Sequence, residues 1–201
     1  FWFDFISSHD FELINMINTH NSLPPIKHYV DLEGFDGLTF IDLFAGIGGF
    51  HQALTSLGAK CIMACDIDQS CRNTYKDNYG IDPIPDVKSI NENDMPDFDI
   101  LCGGFPCQPF SNGGKKQTFN DERGLLFDEI MRIAKHKKPK FMFLENVKHI
   151  LKVSNGEVFK YIQEKIKSNG YVLQIAELSP HDFGVPQQRE RVFFICIRND
   201  I

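Results

Sequence analysis

Leu38-Thr39-Phe40-Ile41-Asp42-Leu43-Phe44-Ala45-Gly46-Ile47-Gly48-Gly49 decides the fold. The apolar run Leu38–Phe44 passes straight into glycines, as a buried parallel strand does when it opens into a ligand loop. Glycine there lets the backbone turn sharply and approach a bound molecule closely. The spacing predicts a helix over Phe50–Leu57, closed by Gly58, and a second strand over Cys61–Cys65. Asp66 ends that strand, where a carboxylate can accept hydrogen bonds from a ribose, and Asp68 reads as the cap of a helix over Ser70–Tyr79.

Further along, a weak strand is expected near Ile84–Val87 and a firm one at Phe98–Cys102. A Gly/Pro/polar loop over 103–122 is long enough to suggest function. A helix over Leu125–Ala134 carries Leu126, Ile130 and Ile133 on one face. Then come a strand at Phe141–Leu144, a helix at Glu157–Ser168 and strands at Tyr171–Leu178 and Val192–Ile197. No helix-length segment parts the last two, so they are expected to pair antiparallel. The alternation predicts an α/β domain over 38–201. Its sheet would be mostly parallel and seven-stranded, with an antiparallel last strand and helices on both faces. Ligands of such sheets sit beyond the carboxyl ends of the strands. Residues 1–37 read as an extension or linker of unknown role, with a short helix after Asp10 that Pro24-Pro25 stops.

Composition narrows the classes. At 42% hydrophobic and 24% charged, the 201 residues suit a globular domain. No apolar run nears the ~20 residues of a membrane helix, so no membrane partner is expected. A net charge of −6 argues against a stand-alone nucleic-acid binder. The 6 cysteines form no Cys-x-x-Cys pair and meet no histidine cluster. Reduced thiols and no metal are therefore expected.

The chemistry gathers at three places. The fourth strand opens into Gly103-Gly104-Phe105-Pro106-Cys107-Gln108-Pro109-Phe110-Ser111. A cysteine between glycines and prolines suits a nucleophile on a shaped turn better than a core thiol. The next strand delivers Glu145-Asn146-Val147, whose carboxyl, partly desolvated, can donate a proton. Gln187-Gln188-Arg189-Glu190-Arg191 precedes the last strand. If that strand is antiparallel, Arg189 and Arg191 face the same rim and Glu190 points away. The glycines after the first strand lack the full register for a dinucleotide pyrophosphate. Asp42 beside them would repel phosphate and suit an ammonium, which favours S-adenosylmethionine over NAD.

Together, Phe44–Gly49, Gly104–Ser111, Glu145–Val147 and Gln187–Arg191 resemble the cytosine-5 DNA methyltransferases, particularly the bacterial restriction–modification type, from Leu38 to Arg198. The resemblance implies a Rossmann-like fold dependent on S-adenosylmethionine and methyl transfer to carbon 5 of cytosine in double-stranded DNA. It implies that Cys107 attacks carbon 6, that Glu145 serves ring nitrogen 3, and that Arg191 with Arg189 holds the base oxygen and the carboxylate. The base would have to leave the duplex stack.

On the cofactor side the resemblance implies that Phe44 and Ile67 pack on adenine and that Asp66 takes the ribose. Asp86 and Val87 would read the adenine edge, and Asp42 would face the methionine ammonium. Gly46, Gly48, Gly49, Gly104, Pro106 and Leu126 would complete the pocket. Asp66 and Ile67 depart from the family's more usual Glu and aromatic. Gln108, Ser111, Lys115, Lys116 and Arg123 would meet DNA on a loop that closes over it. The family's target-recognition region and its final Asn-containing cofactor segment are expected downstream or on a second polypeptide. A cytoplasmic, nucleoid-associated protein of a bacterium or phage is expected. The rivals are a transfer-RNA cytosine-5 methyltransferase, a non-catalytic module that keeps the fold, and a nicotinamide-dependent dehydrogenase.

Overall fold

The computed structural model describes residues 34–106 and 125–201. The helix expected after Asp10, Cys107 and the loop from Gln108 to Arg123 lie outside the described residues. Among the described residues six strands form one sheet: β1 (Thr39–Leu43), β2 (Lys60–Cys65), β3 (Ile100–Gly104), β4 (Phe141–Val147), β5 (Tyr171–Leu178) and β6 (Arg191–Arg198). Their spatial order is β2-β1-β3-β4-β6-β5. β1, β2, β3 and β4 run parallel, and β6 lies antiparallel between β4 and β5. The helices are α1 (Gly49–Ser56), α2 (Gln69–Tyr79), α3 (Leu125–Lys137) and α4 (Glu157–Ser168).

The weak strand expected near Ile84–Val87 is reduced to one parallel bridge, Cys65 to Ile84, and a 3-10 turn at Val87–Ser89 follows. Pro83 and Pro85 flank Ile84 and have no N–H to give a ladder. Only Ile84 pairs fully: its N–H donates to the Ala64 carbonyl and its carbonyl accepts from Asp66.

Alternation along β1 divides the core. Ile41 and Leu43 pack with Ile130 and Ile133 of α3 and with Ile162 and Ile166 of α4. Phe40 packs with Phe35 and with Leu54 of α1. Helices thus cover both faces, as a parallel sheet requires. Phe35, placed by the sequence in the extension, belongs to this core and its N–H donates to the Leu57 carbonyl. Asp68 caps α2 as expected, accepting from the amides of Ser70 and Cys71, and Gly80 ends it in the left-handed region.

Successive crossovers place β2 on one side of β1 and β3 on the other. The strand order therefore reverses between β1 and β3, where sheets of this kind bind ligands at the carboxyl ends. The glycine loop after β1 and the turn after β3 both open there.

Candidate active site

The loop after β1 is held from several sides. Ala45 donates to the Cys65 carbonyl at 3.0 Å, Gly48 to the Ala45 carbonyl at 2.9 Å, and Gly46 to Asp66 Oδ2 at 2.7 Å. The other Asp66 oxygen accepts from the Asp68 amide at 2.8 Å. Asp66 thus ties the loop to the start of α2, and each oxygen retains a lone pair for a further donor. Phe44 holds φ at 56°, a conformation an aromatic residue seldom adopts. Strain of this kind costs about 1–3 kcal/mol and clusters at ligand sites. Gly48, at φ 96°, lies so close to Tyr79 that an added Cβ would sit 2.2 Å from its ring. Beside Gly46 the same test meets nothing within 4 Å. Ile67 is 79% exposed, a large apolar side chain at the mouth of the loop. Phe44 and Leu126 are partly buried at the border of one core cluster.

Asp42 departs from its expected role. It is 0% exposed, and neither carboxyl oxygen finds a hydrogen-bond partner among the described residues. Burial pushes its pKa up to about 8, and the Asp66 charge adds to this. A charge on Asp42 would also raise Cys61, Tyr75 and Tyr79, so these groups surround it. Fully buried, the carboxyl has no surface on which a phosphate or an ammonium could sit. It lies under a buried support in which Tyr75 and His51 Nδ1 share a 2.7 Å hydrogen bond. His51 stacks on Tyr79 at 3.8 Å, and Tyr79 donates to the Gly48 carbonyl at 3.2 Å. The reason is positional: β1 is central in a sheet covered on both faces, so Phe40, Ile41, Asp42 and Leu43 are all 0% exposed.

Asp86 caps the 3-10 turn through the Lys88 amide at 2.9 Å, and the Val87 side chain is buried. The second Asp86 oxygen has no hydrogen-bond partner among the described residues. The Val87 carbonyl accepts from Arg132 at 3.3 Å, a tether from α3 that the sequence reading missed.

At the other half of the rim, antiparallel pairing of β4 with β6 sets Val147 opposite Arg191. The start of β6 therefore lies at the carboxyl edge, as expected. Arg191 Nε reaches Glu145 Oε1 at 2.8 Å, with the two side chains 20% and 26% exposed. Burial raises the Glu145 pKa above the ordinary carboxyl value, while Arg191 and then Arg189 pull it back. Arg189 is exposed, and its amide donates to Ser179 Oγ at 3.1 Å. Glu190 points the other way, onto Lys148 at 2.9 Å. Gly104 permits the approach of the acid, since a Cβ there would sit 3.2 Å from Glu145 Oε2.

Asn146, 2% exposed, was missed as a site residue. Its Nδ2 donates to the Phe105 carbonyl at 2.8 Å, and its Oδ1 accepts from Val147 at 2.8 Å. It ties the turn before Pro106 and Cys107 to the strand that carries Glu145. Its place between Glu145 and Val147 was the available signal. Pro106 is exposed at the end of that turn. Cys107, Gln108, Ser111, Lys115, Lys116 and Arg123 fall outside the described residues. Among the described residues no group of acids, histidines and cysteines could hold a metal, and Cys61, Cys65, Cys71, Cys102 and Cys196 are free thiols.

A family model described as C-5 cytosine-specific DNA methylase matches residues 38–201. The Type II methyltransferase M.HhaI of Haemophilus parahaemolyticus is 46% identical over 165 residues, covering 82% of this chain and 50% of the relative. The Type II methyltransferase M.BsuFI of Bacillus subtilis is 44% identical over 164 residues, covering 82% of this chain and 40% of the relative. Among solved structures, the S. pombe Dnmt2 methyltransferase superposes with a TM-score of 0.67 at 27% identity, covering 81% of this chain and 51% of that one. A Dnmt2 mutant from Spodoptera frugiperda gives 0.68 at 25% identity, covering 82% and 51%. The chain therefore spans about half the length of the relatives it matches.

Proposed function

This chain belongs to the C-5 cytosine-specific DNA methylases, and from that premise we propose that it carries the catalytic half of an enzyme that methylates carbon 5 of cytosine in double-stranded DNA. The observation that carries the reading is the Glu145–Arg191 contact at 2.8 Å. It joins a half-desolvated acid to a guanidinium on the same rim to which Asn146 tethers the turn leading into Cys107.

Cytosine is a poor acceptor of nucleophiles until its ring nitrogen 3 is hydrogen-bonded or protonated. Glu145, its pKa raised by burial against the pull of Arg191 and its carboxyl oriented by that arginine, serves that nitrogen. The Cys107 sulfur then adds to carbon 6, and the electron pair moves through the ring to carbon 5. S-adenosylmethionine, when bound, supplies an electrophilic methyl on a sulfonium beside that carbon. Loss of the carbon 5 proton and expulsion of Cys107 restore the ring.

The described residues fit such a cofactor. The loop leaves open space beside Gly46, Ile67 offers an exposed apolar face to an adenine, and Asp66 retains acceptors for a ribose. Asp42, 0% exposed, offers the methionine ammonium no accessible oxygen. Lys115, Lys116 and Arg123, with Gln108 and Ser111, are proposed DNA contacts on the strength of the family resemblance. A downstream region or second polypeptide is proposed to read the target sequence.

The test follows labelled methyl transfer by the full-length protein to duplex DNA and to transfer RNA. The expected product is 5-methylcytosine in duplex DNA and none in transfer RNA. Glu145→Gln should slow transfer by ~100-fold while cofactor binding survives. Product in transfer RNA alone would favour the RNA enzyme. Cofactor binding without any transfer would favour a non-catalytic module.

A further inference from the structure

We propose that Lys148 is a positioning residue for this site: by bridging Glu190 and Glu177 it pins the first residue of β6 so that Arg191 stays on Glu145. The proposal rests on the reading of Glu145 and Arg191 given above.

Arg191 sits at an exposed weakness of the sheet. It is the first residue of β6, paired with Val147 of β4 on one side and Leu178 of β5 on the other. Residues 184–190 before it form no helix or strand. Strand ends open first, because few contacts hold them. Beyond the last ladder pair, the next residue of each chain is Lys148 on one side and Glu190 on the other.

These two close the gap with side chains. Lys148 Nζ lies 2.9 Å from Glu190 Oε1 and 2.9 Å from Glu177 Oε2. One ammonium thus ties together three segments: the turn after β4, strand β5 and the approach to β6. The alternation of a strand puts Glu190 and Arg191 on opposite faces. With Glu190 fixed to Lys148 on one face, Arg191 is directed to Glu145 on the other. A slip of one residue would reverse both. On the other flank, Ser179 holds the Arg189 amide at 3.1 Å.

This bridge contributes little to stability. Its side chains are 38%, 45% and 54% exposed, and ion pairs at such sites are worth about 0–1 kcal/mol. Its value lies in geometry, because a misplacement of about 1 Å can cost ~100-fold in rate. Loss of the bridge should therefore slow the reaction without unfolding the protein.

The experiment uses the full-length protein and compares Lys148→Met, Lys148→Arg, Glu190→Ala and Glu145→Gln. Three quantities are read: single-turnover methyl transfer at saturating duplex DNA, S-adenosylhomocysteine affinity by calorimetry, and Tm. Methionine keeps the apolar stem and removes the charge; arginine restores the charge.

The expected result is transfer slowed about tenfold or more in Lys148→Met and Glu190→Ala, with cofactor affinity and Tm near wild type and the rate largely restored in Lys148→Arg. Glu190→Ala removes a negative charge and so cannot lose a phosphate contact. If Lys148→Met alone is slow, the lysine grips DNA and the proposal is overturned. Equal losses of rate, affinity and Tm would also overturn it, by showing a merely structural role. If Lys148→Met transfers at the wild-type rate while Glu145→Gln is inactive, the proposal is wrong and the reading of the site stands. If Glu145→Gln is fully active, that reading is wrong and the proposal falls with it.

Discussion

Asp42 links burial to a pH dependence that can be measured. Its folded pKa of about 8, against an ordinary 3.8, means that the folded chain binds more protons than the unfolded one between those values. The stability it confers is full at the acid end of that window and is lost as pH rises towards 8. Asp42→Asn keeps the shape and cannot ionise. Urea midpoints at pH 5 and pH 8 should show the wild type losing stability over this interval and the variant losing less. Equal losses would mean that Asp42 is not the source. Arg191 makes a second case at this scale. Its Nε contact with Glu145 depends on a planar guanidinium, so Arg191→Lys keeps the charge and loses the geometry. Methyl transfer should fall by ~10-fold or more, read as a rate at saturating cofactor and DNA.

Two glycines of the loop after β1 make separable predictions about one element. Gly48→Ala drives a methyl into the Tyr79 ring at a φ of 96°, and should lower stability by about 1–3 kcal/mol. Thermal unfolding checks this, and Tyr79→Ala in the same chain should recover only the steric part. Gly46→Ala meets no protein atom within 4 Å but puts a side chain at a φ of 55°, so its Tm should fall through backbone strain alone, by less than that of Gly48→Ala. Its S-adenosylhomocysteine affinity should drop, because the added methyl points into space assigned to the ligand. Affinity equal to wild type would refute that assignment.

Much of this scale was legible in the sequence. The apolar runs before Gly46 and before Gly103 mark central strands, and the two-residue alternation put Glu190 opposite to Arg191. The third strand was overestimated because Pro83 and Pro85 remove ladder donors that hydrophobicity alone does not register. Asp42 was misplaced because a local pattern of acid beside glycine carries no information about which sheet face lies covered. Asn146 and Lys148 escaped notice because their roles come from partners distant in sequence, the Phe105 carbonyl and the Glu177–Glu190 pair.

At the scale of the molecule, we propose that this chain supplies the rim for the chemistry and that much of the DNA grip comes from a further region. Its net charge is −6, and its relatives are about twice as long. The 201 residues alone should bind S-adenosylhomocysteine, yet bind duplex DNA weakly with a shallow dependence on salt, since few phosphates are neutralised. A steep salt dependence would reveal a phosphate-binding surface that the net charge conceals. The central claim concerns Cys107, and duplex DNA carrying 5-fluorocytosine tests it directly. Fluorine in place of the carbon 5 proton cannot leave after methyl transfer, so the sulfur remains bonded to carbon 6. Mass spectrometry of the digested full-length protein should find the adduct on the peptide containing Cys107 and none in Cys107→Ser. Methyl transfer to ordinary cytosine by Cys107→Ser at the wild-type rate, or an adduct on any other cysteine, would contradict the account.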